Sequence, residues 1–300
     1  MWRRISTAFP LVVLLSVTAP ACGHFGSASS SPPTVLPALA LSVPADAVYL
    51  VDARTGQSRT IASRLSDFQG GYAVWAPDHR RLAYGDNGIV LFEPRSNRET
   101  KLIRGKGLSM PAWSRDQRTL VYGDGISLWT TRVERPKPRR FRIPAVLAPL
   151  EMDWSSTGLI AFEGLRLDCS QIVRCTSTGW SEIWTILSDG SGMAQLTHLG
   201  HVEKPKWSPD GQRVLFVRTY PASHGRSELW VVGADGSGAH RLVSARDVVA
   251  ADWSPDGSRL AVVRRATKPR SLQLWIGASD GRGLAAVGRP VRGTDATLDW

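Results

Sequence analysis

The chain has 300 residues, 42% of them hydrophobic, so it can bury a sizeable core in one folded domain. Its 37 lysines and arginines against 26 acidic residues give a formal net charge of +11. That charge excludes no fold, but it predicts attraction to anionic surfaces such as phospholipid headgroups, envelope polymers or nucleic acid.

The first residues read as an export signal. Arg3 and Arg4 precede a short apolar run, Ala8 to Val17, and the small residues Ala19, Pro20 and Ala21 stand directly before Cys22. The run is too short to span a bilayer comfortably, so residues 1–21 are expected to be a removed signal peptide. Ordinary cleavage after Ala21 would release a soluble secreted protein. The same stretch resembles a bacterial lipobox, with Ala19 where Leu is usual, and a Cys placed directly after such a site favours lipidation of Cys22. The expected location is therefore the extracytoplasmic side of the cell membrane, through a lipid anchor, with secretion as the alternative. Residues 22–37 are Gly, Ser, Ala and Pro with almost no charge and read as a flexible tether.

From residue 38 onward the chain repeats itself. Five segments share one frame: WAPDHRRLAY from Trp75, WSRDQRTLVY from Trp113, WSSTGLIAF from Trp154, WSPDGQRVLFV from Trp207 and WSPDGSRLAVV from Trp253. A sixth Trp is Trp300, and the spacings are 38, 41, 53, 46 and 47 residues, around the period of four-stranded propeller blades. Pro-Asp-Gly supplies turn chemistry, and the apolar run after it predicts a strand buried between neighbours. A second strand follows around Tyr49, Leu91, Trp129, Trp184, Trp230 or Trp275, and several of these run into an Asp-Gly hairpin signal. A third strand and a short fourth one (GYAVW, LEMDW, VAADW, TLDW) complete each unit.

The two ends of the repeat region explain each other. Trp300 lacks the strand that should follow it, and Ala38 to Val43 is a strand of that type without its Trp. Residues 38–300 are therefore expected to form an all-β, six-bladed β-propeller of four-stranded blades, closed by interleaved N- and C-terminal strands.

The Trp-Ser-Pro-Asp-Gly strand followed by Leu-Trp-Val-Val-x-x-Asp-Gly-Ser-Gly resembles the TolB-like propeller family, most sharply in the segments at Trp207 and Trp253. The pattern departs at Arg115, which replaces Pro, and at Ser156 and Thr157, which replace Pro-Asp. The resemblance implies a periplasmic or cell-surface interaction module, probing protein or glycan partners in the envelope as a monomeric domain.

Candidate chemistry is sparse. Cys169 and Cys175 read as a disulfide in an exported chain, stapling a loop in the longest repeat that could contact a partner. His198, His201 and Glu203 carry zinc-type ligands but sit in a connection read as a solvated loop, so no metal is assigned. Asp189, Asp235 and Asp280 recur at one repeat position and read as turn residues, not calcium ligands. The repeated tryptophans read as packing, leaving Trp180 and Tyr220 outside the frame. No Gly-x-Ser-x-Gly elbow is present and the repeats occupy the chain, so no catalytic residue or cofactor is assigned. The expected function is a non-catalytic binding or scaffold propeller. Two alternatives stand beside it: an enzyme of lyase or hydrolase type with its site in the central channel, and polyanion binding by the basic residues 132–142, with Arg135, Lys137, Arg139 and Arg140. Nucleic acid is the disfavoured polyanion.

Overall fold

A computed structural model of the protein describes residues 38–44, 46–63, 72–105, 107–170, 175–223, 226–243 and 247–300. The expected signal peptide, the tether and Cys22 lie outside the described residues.

The strands follow the repeat. The chain begins with β1 (Leu39–Val43), β2 (Ala47–Val51) and β3 (Ser58–Ser63). Blade 2 is β4 (Val74–Trp75), β5 (Leu82–Gly85), β6 (Gly88–Glu93) and β7 (Arg98–Arg104). Blade 3 is β8 (Ser109–Trp113), β9 (Thr119–Gly123), β10 (Leu128–Arg132) and β11 (Arg139–Arg140). Blade 4 is β12 (Leu147–Trp154), β13 (Leu159–Asp168), β14 (Thr176–Leu187) and β15 (Ala194–Gln195). Blade 5 is β16 (Val202–Trp207), β17 (Arg213–Tyr220), β18 (Arg226–Gly233) and β19 (His240–Val243). Blade 6 is β20 (Val248–Trp253), β21 (Arg259–Arg265), β22 (Ser271–Ala278) and β23 (Ala285–Arg292). Finally β24 (Thr297–Asp299) pairs with β1 in register Leu41↔Leu298, completing blade 1 in the order β24-β1-β2-β3. The protein is a six-bladed β-propeller with antiparallel blades, as the interleaved ends predict.

The core is divided among the blade interfaces. Six clusters of buried side chains each join two neighbouring blades, as where Leu41 and Leu298 of blade 1 meet Val263 and Leu274 of blade 6. Second strands such as Leu260–Val263 are buried on both faces because a blade lies against each side, which explains their unbroken apolar runs. Outer strands such as β7 are mostly exposed.

The repeat motif closes the tight turn after each inner strand. In blade 6, Ser254 Oγ donates to Asp256 Oδ1 at 2.5 Å and accepts the Arg259 N–H, while Asp256 Oδ1 accepts the Ser258 N–H at 3.0 Å. Gly257 takes φ +70°. Blade 5 repeats these bonds at Ser208 and Asp210. Blade 4 keeps the turn without its Asp: Thr157 Oγ1 pairs with Ser155 Oγ at 2.9 Å instead. The antiparallel order puts all these turns, with the Asp-Gly hairpins, on one face of the ring. The hairpins between second and third strands emerge on the other, with the connections from one blade to the next.

Candidate functional site

The residue before each repeat Trp is Val74, Ala112, Asp153, Lys206, Asp252 or Asp299, in blade order from 2 round to 1. Three of the carboxylates reach into the next blade. Asp153 Oδ2 accepts the main-chain N–H of Trp207 at 2.7 Å, Asp252 Oδ2 that of Trp300 at 3.0 Å, and Asp299 Oδ2 that of Trp75 at 2.7 Å. In blade 5 the position holds Lys206, which cannot accept; the Trp253 N–H turns to its own neighbour, Asp252 Oδ1, at 2.7 Å. Lys206 Nζ instead donates to Asp299 Oδ1 at 2.5 Å and lies 3.6 Å from Asp252 Oδ2. One ammonium thus ties together carboxylates from blades 6 and 1.

A second tier lies along the same strands. Lys204, buried and held at φ +59° by a bulge in β16, donates to Asp295 Oδ1 at 2.5 Å and to the Ala296 carbonyl at 3.0 Å. Burial pushes Glu151 up to about 8, with Asp295 and Glu203 adding to the rise and Lys204 opposing it. Burial likewise raises Glu163, Glu203, Asp153 and Asp252 from their ordinary values. Burial alone would lower Lys204 and Lys206, but the surrounding carboxylates outweigh it and hold both above a free lysine. The wall formed by blades 4, 5, 6 and 1 therefore sets buried carboxyl groups against two lysines. The opposite wall carries Val74 and Ala112, with Tyr72 and Met110 each two places before them in the chain. At the turn face the channel opens into a cavity of about 280 Å³ lined by all six repeat tryptophans, with Asp153, Asp252 and Asp299 among its walls.

The other face carries the longest hairpin, β13–β14, with a disulfide between Cys169 and Cys175 near its tip. Trp180 stands on β14, 46% exposed, and its ring packs on His201 with centroids 5.2 Å apart. Gly200 makes that contact possible: at φ +69°, an added Cβ would lie 2.6 Å from the indole. Beside Trp180 a cavity of about 280 Å³ is lined by Pro144, Val146, Arg166 and Trp184.

No family model matches the chain, and no curated protein matches it. Solved structures do. A chain described as TolB from Agrobacterium tumefaciens is 16% identical with a TM-score of 0.59, over 85% of this chain and 90% of that one. A chain of the nidogen/laminin complex is 13% identical with a TM-score of 0.63, over 87% and 97%. An oligogalacturonate lyase in complex with manganese is 14% identical with a TM-score of 0.52, over 81% and 70%. At these identities the likeness is one of fold: it places the chain among β-propellers that include a TolB.

The residues singled out in the sequence are dispersed. Cys169 and Cys175 form the expected disulfide. His198 Nδ1 accepts from Gln195 Nε2 at 3.0 Å, and His201 Nδ1 bonds the Gly179 carbonyl at 2.9 Å. Glu203 is not in a solvated loop: it belongs to β16, among the charges of the channel wall. The two histidines and Glu203 form no metal-ligand set, and no such set occurs among the described residues. Trp180 lies within a strand, past the stapled tip. Residues 132–142 are not wholly loop, since Arg139 and Arg140 form β11. Arg135, Lys137 and Arg139 line a groove, while Arg140 Nε donates to Ser127 Oγ at 2.8 Å. Asp153, Asp252, Asp299 and Lys206 escaped the sequence reading. Their signal was a charged residue at a buried strand position immediately before a repeat Trp.

Proposed function

We propose that the protein is a non-catalytic binding propeller of the cell envelope that docks a protein partner on the face bearing the β13–β14 hairpin. The observation that carries this reading is Trp180: a half-exposed indole on a disulfide-stapled hairpin, beside an apolar-walled cavity. Rigid aromatic anchors next to a pocket are what protein interfaces use as hot spots. Among the similar structures, one is a chain of a nidogen/laminin complex, which adds support for a protein partner. The disulfide fits an oxidising compartment, and with the Cys22 motif it supports an exported, lipid-anchored chain. A photo-reactive residue in place of Trp180 should cross-link one discrete protein in the native envelope, and one at Ser279, on the turn face, should not. Equal adducts from both sites would overturn the docking face. Intact mass of the membrane-fraction protein tests the anchor: a diacylglyceryl chain starting at Cys22 is expected, and an unlipidated chain in the medium would refute it.

A second reading, a channel enzyme, draws on one observation: Glu151 holds its proton near neutrality inside the channel, as a general acid would. Turnover of an acidic oligosaccharide that disappears in Glu151→Gln would establish it. Turnover unchanged in that variant would remove it.

A further inference from the structure

The two repeat segments that lack the motif's Pro-Asp pair belong to neighbouring blades, and both departures border one groove. On the turn face, blades 3 and 4 enclose a groove of about 1060 Å³. Arg115, Arg132, Arg135, Lys137 and Arg139 line it. All five are exposed, and none makes an ion pair among the described residues. The one carboxylate in the groove, Asp116, is committed to its turn, bonding Ser114 Oγ and the Arg118 N–H.

Blades 2, 5 and 6 carry Pro-Asp after the motif's second residue: Pro77-Asp78, Pro209-Asp210 and Pro255-Asp256. Blade 3 puts Arg115 in place of the Pro, and blade 4 puts Thr157 in place of the Asp. One change adds a guanidinium and the other removes a carboxylate, so both turn the same groove more positive. The turn itself survives with Thr157 bonded to Ser155. Structure therefore did not require the Asp, and its loss leaves Ser156 and Thr157 on the groove's blade 4 edge, where both also lie against Gly211 of blade 5. Trp154 also lines the groove, and it is the one repeat Trp of the six that is not buried.

We infer that this groove binds an acidic glycan. Arginines supply forked donors for carboxylate, sulfate or phosphate groups, the Ser and Thr hydroxyls serve sugar hydroxyls, and the indole offers a face for a pyranose ring. A charge-only site would not need the indole of Trp154. A bilayer, being flat, would not enter a cleft between blades. The site lies on the face opposite Trp180, so it stands or falls independently of the protein-docking reading.

The test is direct binding of fluorescent alginate and heparin oligosaccharides to the full chain, with maltodextrin, polyphosphate and duplex DNA of similar length as comparators. Both acidic glycans should bind, more weakly as salt rises from 50 to about 200 mM, since displaced counterions drive such association. Maltodextrin should not bind, and polyphosphate and DNA should bind at least about tenfold more weakly, a difference of roughly 1.4 kcal/mol. Restoring the repeat with Arg115→Pro and Thr157→Asp should leave the unfolding midpoint unchanged while weakening glycan binding tenfold or more. Arg135→Gln with Lys137→Gln, both on exposed side chains, should weaken it comparably and guards against a folding defect in the first pair. The inference is overturned if neither acidic glycan binds, if polyphosphate or DNA binds as tightly, or if both double variants bind like the parent.

Discussion

Asp299 accepts the main-chain N–H of Trp75 at 2.7 Å, across 224 positions of chain. Its second oxygen takes the Lys206 ammonium, so one carboxylate joins blade 2, blade 1 and blade 5. Asp153 and Asp252 do the equivalent for their own successors, and the channel wall is in effect a set of latches between blades.

Lys206 is the weak point of that arrangement. Lys206→Met would leave Asp252 and Asp299 buried without their counter-charge, and a loss of about 3–5 kcal/mol in urea unfolding is expected. Adding Asp299→Asn, which removes one of the stranded charges and keeps an acceptor for Trp75, should recover part of that loss.

The raised carboxyls fix the sign of the pH dependence. Glu151 titrates near 8 in the folded protein and near 4 unfolded, and Asp252 is raised in the same sense. Their contribution is therefore full below the unfolded value and is lost as pH rises through the folded one. Tm should fall between pH 5.5 and pH 9, and Glu151→Gln should flatten the fall. A Tm that climbs over that interval would contradict the burial argument.

Closure of the ring rests on β24. Leu298→Ala, at a side chain 1% exposed between blades 6 and 1, should cost about 2–5 kcal/mol. The same substitution at the exposed Leu187 should cost about 0.5 kcal/mol or less, as measured by denaturant midpoints.

Gly200 controls the posture of Trp180. Gly200→Ala meets both a positive φ and the indole edge, so it should destabilise by about 1 kcal/mol or more and swing Trp180 outward. Tryptophan emission should shift to the red relative to the parent, and in a Trp180→Phe background that shift should vanish.

The ring was legible because its signals are local. A Trp followed by a turn needs only five residues to announce itself, and the orphan strand before Tyr49 needs only a missing partner. The disulfide was legible from the spacing of Cys169 and Cys175 together with the export signal expected at the N-terminus. The latches were not, because Asp153 and Trp207 are separated by a whole blade, and an Asp on an inner strand reads like any polar strand residue. Glu203 misled for a related reason. It sits two places after a histidine whose ring packs on Trp180, and only the bulge at Lys204 reveals that the strand has already entered the channel. Arg115 and Thr157 were read as decay of the repeat until the blades that carry them proved to be adjacent.

The shared blade also orders events in time. Of the propeller's described strands β1 is made first and β24 last, and β1 presents an unpaired inner edge until β24 arrives. Five blades can assemble from local hairpins, but the sixth waits for a contact that spans almost the whole repeat region, the kind of non-local pairing that slows folding. A nascent chain held before Leu298 is made is an open arc with two sticky ends, and its safety from self-association depends on how quickly β24 follows.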